Sequence, residues 1–213
     1  MRTKPQHLSA QRRRLLSVGA AAGLAVGIPA LLIGCERKAS TPAFHGINIT
    51  GVNYGRDFQL KDPDGKVRAL ADFRDKVVLI FFGFTQCPDV CPTALTRAQQ
   101  VRQALGKDGS RLQVIFVTVD PERDTAALLR QYTAAFDPDF LGLRPEMSEL
   151  QPVAQEFRVT YRKVPTGSSY TMDHTALSYL YDQKGRLRLA IRHDMPADQL
   201  AGDILTLLNE PPH

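Results

Sequence analysis

The chain reads as an α/β domain with a central sheet flanked by helices, and three features carry that reading. Residues 77–84 and 112–119 are continuously apolar, as expected of strands covered on both faces. Each run is followed by residues with helical apolar spacing. The chain then closes with two short strand-like runs and an amphipathic helix.

Taken in order, Phe58-Gln59-Leu60, the turn Asp62-Pro63-Asp64-Gly65 and Val67 form a small hairpin at the front. The first core strand, 77–84, runs directly into Thr85-Gln86-Cys87-Pro88-Asp89-Val90-Cys91-Pro92. Beyond Pro92, Ala94, Ala98, Val101 and Leu105 recur at helical steps, which predicts a helix whose first turn carries the cysteines. After the strand at 112–119, Asp124 is the expected cap of a helix bearing Leu128, Leu129, Tyr132 and Phe136. Ser148-Glu149-Leu150-Gln151 reads as a capping box for Leu150, Val153, Ala154 and Phe157. Pro165-Thr166-Gly167-Ser168-Ser169 reads either as a mobile loop whose closing would move His174 toward the cysteines or as an ordinary connecting loop. A strand at 175–181, a turn at Asp182-Gln183-Lys184-Gly185 and a strand at 187–192 follow. In the last, Leu187, Leu189 and Ile191 alternate with Arg188, Ala190 and Arg192. A helix from Pro196 is expected to bury Leu200, Ile204, Leu207 and Leu208. This order is that of a thioredoxin-like fold with an N-terminal hairpin and an insertion between residues 119 and 170.

With 213 residues and an ordinary composition, the chain can form one domain with a sizeable core. The net charge of +5 belongs to its first segment. Residues 1–34 hold Arg2, Lys4, Arg12, Arg13 and Arg14 and no acid, and without those five the basic residues number the same as the 22 acidic ones. No basic excess remains to suggest a nucleic-acid partner.

The first 34 residues read as an export signal: a basic start, an uncharged run over 15–34, and Leu32-Ile33-Gly34-Cys35, which has the form of a lipoprotein cleavage site. Cys35 would carry the lipid and hold the domain on a membrane, outside the cytoplasm, on the periplasmic side of a bacterial envelope. An uncleaved anchor of about 20 apolar residues is the alternative. Gly19, Gly23, Gly27 and Pro29 argue against it. Arg12-Arg13-Arg14 fits either a twin-arginine signal or a plain basic start. Residues 35–53 read as a tether and 54–213 as the folded domain.

Setting Cys35 aside leaves two of the three cysteines, Cys87 and Cys91, too few for a disulfide framework. Thiols at i and i+4 on a helical turn share a face, and the positive end of the helix favours thiolates. Such a pair can close to a disulfide or hold a soft metal such as Cu(I). Asp173-His174-Thr175 stands where a thioredoxin-like fold faces the cysteine loop. A neutral imidazole there makes a two-sulfur, one-nitrogen donor set suited to three-coordinate Cu(I) and tolerant of Cu(II). Structural zinc requires a fourth protein ligand, and the sequence offers no clear one.

The string Phe84-Thr85-Gln86-Cys87-Pro88-Asp89-Val90-Cys91-Pro92 resembles the Cys-x-x-x-Cys-Pro signature of the Sco (Sco/SenC) family, copper chaperones of cytochrome c oxidase assembly. Asp173-His174 is similar to that family's histidine motif, and Val119-Asp120-Pro121-Glu122-Arg123-Asp124-Thr125 to its segment after the second core strand. The resemblance covers residues 54–208. It implies copper bound by Cys87, Cys91 and His174, with the copper-A subunit of the oxidase, or another extracytoplasmic cuproprotein, as recipient or thiol-reduction target.

Asp89 and Asp173 are candidates to steer copper or orient His174, although acids in such loops are commonly caps or turn formers. Met172, and His193 with Asp194 and Met195, are weaker copper candidates, because Asp194 before Pro196 is more simply a helix start. His7, His45 and His213 have no partner in sequence. A metallochaperone needs no turnover. The enzymatic competitor is a thiol-disulfide oxidoreductase in which Cys87 and Cys91 are catalytic, though it lacks Cys-x-x-Cys spacing and leaves His174 without a required part. A peroxide-reducing thiol enzyme would also need a peroxide-activating constellation, and none is evident.

Overall fold

The computed structural model describes residues 43–211. The leader, Cys35 and the twin-arginine pattern lie outside the described residues. No helix among those described is long and apolar enough to cross a membrane.

Ten strands and four α-helices follow one another: β1 (Ile47–Asn48), β2 (Leu60–Lys61), β3 (Val67–Arg68), β4 (Val77–Gly83), α1 (Val90–Ala104), β5 (Leu112–Thr118), α2 (Ala126–Ala134), β6 (Leu141–Leu143), α3 (Met147–Glu156), β7 (Tyr161–Thr166), β8 (Ser169–His174), β9 (Ser178–Tyr181), β10 (Leu187–Ile191) and α4 (Ala197–Leu208). Six strands form the main sheet in the order β1-β10-β9-β4-β5-β6. β4, β5 and β6 run parallel, and β9 and β10 return antiparallel, with β9 beside β4. All seven residues of β4 are buried, because helices and loops cover both faces of the sheet's centre. Helix α1 packs against α4, whose Leu200, Ile204, Leu207 and Leu208 are buried as their spacing requires. The fold is thioredoxin-like, and the front hairpin pairs as the Asp62–Gly65 turn predicts.

Several local expectations are corrected. Helix α1 begins at Val90, so Cys87 stands in the loop before it and only Cys91 is in its first turn. The cap of α2 is Thr125, whose hydroxyl accepts the Leu128 N–H. Asp124 turns inward and is fully buried. Helix α3 is capped two residues earlier than Ser148, at Glu146: the Glu149 carboxylate accepts the N–H of Glu146 at 2.8 Å. The loop at 165–169 is the tip of a β-hairpin, β7–β8, turning at Gly167 with φ of 61°. His174 therefore ends β8, and the strand expected from 175 begins at Ser178.

Two short edges were hidden in the sequence. β6 joins the sheet beside β5, and β1, inside the stretch read as tether, pairs with β10 through Ile47↔Ala190. The expected alternation of β10 is masked because all five of its residues are buried. Arg188 is enclosed with carboxylates: its guanidinium reaches Asp182 at 3.1 Å and Glu210.

Candidate metal centre

The cysteine side is built from the end of β4. At Gly83 a side chain is excluded, because a Cβ there would lie 2.7 Å from Cys91 Sγ and 2.8 Å from the Phe116 ring. Phe84 is buried, and its carbonyl accepts the Cys87 N–H at 3.2 Å, which turns the chain toward α1. Cys87 is half-buried and Cys91 wholly buried, and both are free thiols.

Beneath this loop Asp124 ties β4 to β5. Its carboxylate accepts the Thr85 N–H at 3.1 Å, the Thr85 hydroxyl at 2.5 Å and the Thr118 hydroxyl at 2.6 Å. Burial pushes the Asp124 carboxyl upward, and the threonine donors oppose that shift.

The nitrogen comes from the far side of the sheet's end. His174 Nδ1 lies 3.0 Å from the Thr175 carbonyl, an acceptor only, so Nδ1 carries the proton and Nε2 keeps its lone pair. That Nε2 is 3.8 Å from Cys91 Sγ. The imidazole meets Phe81 and Phe84 edge to face, with ring centroids 6.1 and 5.8 Å away.

The three donor atoms all lie within 4.8 Å of one another, and no other histidine, cysteine or carboxylate among the described residues joins them. Bonds of about 2.0–2.3 Å place the donors of a three-coordinate ion about 3.5–4 Å apart, so the cluster needs little closure to hold one. Two soft sulfurs and one imidazole, with no fourth protein ligand among the described residues, fit a soft monovalent ion better than structural zinc.

The two thiols differ sharply in acidity. The Cys91 thiol donates to Cys87 and lowers it to about 3. Burial pushes the other way, while the Asp89 N–H adds to the lowering. Cys91 is raised, first because it supplies that hydrogen bond and then because it is buried.

The structure thus brings Cys87, Cys91 and His174 together, and the other candidates elsewhere. Asp89 is exposed at the N-terminal cap position of α1, its carboxylate 3.4 Å from the Thr93 hydroxyl. Asp173 is exposed and pairs with Arg162 across the hairpin at 2.6 Å. Met172 is buried, and Asp194 pairs with Arg192. His45, without a partner in sequence, has one in space, lying 3.0 Å from Asp203. Sequence reasoning missed Gly83 and the Thr85–Thr118–Asp124 network. For Asp124 the one signal was the unusual charged string that follows a buried strand.

Comparison with known proteins accords with this geometry. The SCO1/SenC family model matches residues 48–209. A SCO2-like protein of Rickettsia felis is 34% identical over 169 residues, covering 76% of this chain and 82% of the relative. Among solved structures, copper-bound ScoI of Bradyrhizobium japonicum is 43% identical with a TM-score of 0.65, covering 71% of this chain and 97% of that one. Apo Sco1 of Thermus thermophilus is 40% identical with a TM-score of 0.68, covering 79% and 99%. A two-cysteine, one-histidine cluster at the end of a thioredoxin-like sheet, within a match spanning most of the domain, shows that this chain belongs to the SCO1/SenC family.

Proposed function

We propose that the protein is an extracytoplasmic copper metallochaperone that holds one copper through Cys87, Cys91 and His174 and assists assembly of the copper-A site of cytochrome c oxidase. Membership of a family of copper-binding oxidase assembly proteins supports the client class. The observation that carries the reading is the cluster itself: two sulfurs and an imidazole converge within 4.8 Å, with no fourth ligand among the described residues. Three-coordinate Cu(I) is held tightly by such a set yet stays open to an incoming donor, so copper can pass by ligand exchange. His174 sits on a separate hairpin and is the ligand best placed to leave first. Lipidation at Cys35 would keep the domain at the membrane where the oxidase is assembled.

The unequal thiols support a second reading. Cys87, half-exposed and ionised, can attack a client disulfide, forming a mixed disulfide and releasing one client thiolate. Cys91, once deprotonated, then attacks the Cys87 sulfur, closing the Cys87–Cys91 disulfide and releasing the second client thiolate. Client cysteines are thereby reduced and this pair oxidised.

Anaerobic titration of the reduced protein with Cu(I), against a competing chelator and with Cys91→Ser as control, separates the two. One tightly held copper per chain, lost in the control, is the expected result. Absence of competitive binding would remove the metallochaperone and leave the dithiol reductant.

A further inference from the structure

The β7–β8 hairpin that carries His174 hydrogen-bonds to no strand of the main sheet. Its base is closed by Thr160 and Thr175, whose backbone and hydroxyl groups bond to each other at 3.0 Å, but these contacts are internal to it. Buried Met172 seats β8 on the core and the His174 ring rests on Phe81 and Phe84, so what remains to fix the hairpin against the cysteine loop is polar side chains that cross between them.

One side chain crosses at the right place. Arg123 Nη1 donates to Gln86 Oε1 at 3.0 Å, next to Cys87, and to the carbonyl of Tyr170 at 2.8 Å, on the strand that ends at His174. The guanidinium carbon lies 3.7 Å from the Tyr170 ring centroid. The Tyr170 hydroxyl donates to Asp120 Oδ1 at 2.9 Å, and the other oxygen of that buried carboxylate accepts Arg123 Nε. The loop supplying Asp120 and Arg123 is itself fixed. Thr118 accepts the Asp120 N–H at 2.9 Å, and Arg144 donates to the carbonyls of Pro121 and Asp124 at 2.7 and 3.1 Å. Lys163 on the hairpin and Glu122 on the loop form a more exposed second clasp.

The geometry points to Arg123 and Tyr170 as positioning residues that hold the histidine hairpin against the cysteine loop, so that metal affinity depends on a clamp touching none of the three ligands. The inference rests on the metallochaperone reading. A planar guanidinium is the one side chain that can stack on a ring while its edge bonds two acceptors in different segments. Its charge is matched by Asp120, so the clamp is neutral overall and independent of the charge on the metal.

The test reads the clamp with and without copper. In the reduced protein without added metal, Arg123→Met should speed amide exchange across residues 161–174 by about tenfold and leave β4 and β5 unchanged. In Cu(I) competition, Arg123→Met should weaken binding about tenfold, and Tyr170→Phe, which keeps the ring and loses the bond to Asp120, by a smaller factor. In a His174→Ala background both changes should weaken copper far less, since the clamp acts mainly through that ligand and only its bond to Gln86 reaches the cysteine loop. Equal losses with and without His174 would mean a merely structural effect and overturn the proposal, as would unchanged exchange in the hairpin. If Arg123→Met does not fold, Tyr170→Phe carries the same tests. Wild-type protein that holds no copper would sink the metallochaperone reading and the positioning role with it; a failed clamp with wild-type copper binding intact leaves that reading standing.

Discussion

The two halves of the metal centre are held in different ways. The cysteine half grows out of β4, every residue of which is buried, and its loop is tied down by the Asp124 carboxylate and by the fit of Cys91 against Gly83. The histidine half is an exposed two-stranded hairpin attached by side chains. A change near the cysteines therefore reaches the stability of the whole fold, whereas a change near the histidine costs less stability and is felt mainly by the metal. Under the proposed metallochaperone function, this division would fix two ligands and let the third be withdrawn.

The strongest way to break the contrast is Gly83→Ala. The added Cβ would meet Cys91 Sγ at 2.7 Å and the Phe116 ring at 2.8 Å, and neither wall can retreat, since both are fully buried. We expect a loss of about 3 kcal/mol in denaturant unfolding, at the upper end for overpacked cores, together with weakened copper binding. Unchanged stability would show that the cysteine half is softer than its packing implies. The counterpart is His174→Ala, which should lower copper affinity about 100-fold, at the upper end of what lost metal-site partners cost. It should lower stability by about 1 kcal/mol, for the lost edge-to-face contacts with Phe81 and Phe84, and a drop matching that of Gly83→Ala would erase the distinction.

Thr118→Val tests the cysteine half at a smaller scale. The change preserves shape but removes a donor to Asp124 and the acceptor of the Asp120 N–H, both buried. A loss of about 2 kcal/mol is expected from the polar groups left unpaired. Because both bonds lie inside the core, the effect should appear in global unfolding and in the slowest-exchanging amides of β4 and β5 before it appears in copper affinity.

How far the sequence announces this arrangement differs between the halves for the same reason. Buried strands and their helices leave periodic apolar patterns, so β4, α1, β5 and α4 were legible, and the cysteines are fixed by adjacency to β4. The hairpin is mostly exposed and polar, and residues 165–169 contain proline, glycine and serines, which read as loop whether or not the flanks pair. Short edge strands such as β1 and β6 escape notice because two or three residues cannot show a period. Asp124 was misread as a cap because an acid before a helix ordinarily is one. Only tertiary structure reveals that Thr125 takes that place while the aspartate goes inward. Arg123 and Tyr170 are 47 residues apart, and nothing local to either signals the other.

The contrast makes a final, finer claim about charge. The cysteine half should be electrostatically set before copper arrives, since Cys87 is held at about 3 chiefly by the Cys91 thiol. A group lowered that far is ionised throughout the range above it. In reduced protein without added metal, alkylation of Cys87 should thus be slow, because nucleophilicity falls with basicity, but flat between pH 5 and 8. An ordinary thiol, ionising near 8.5, loses about tenfold in rate for each unit below pH 8. His174→Ala should leave most of that flatness, whereas Cys91→Ala should restore much of the slope by removing the principal donor. A tenfold fall per unit in the wild type, or a slope governed by His174 instead of Cys91, would show that the thiolate depends on the mobile half. The cysteine half would then not be preset.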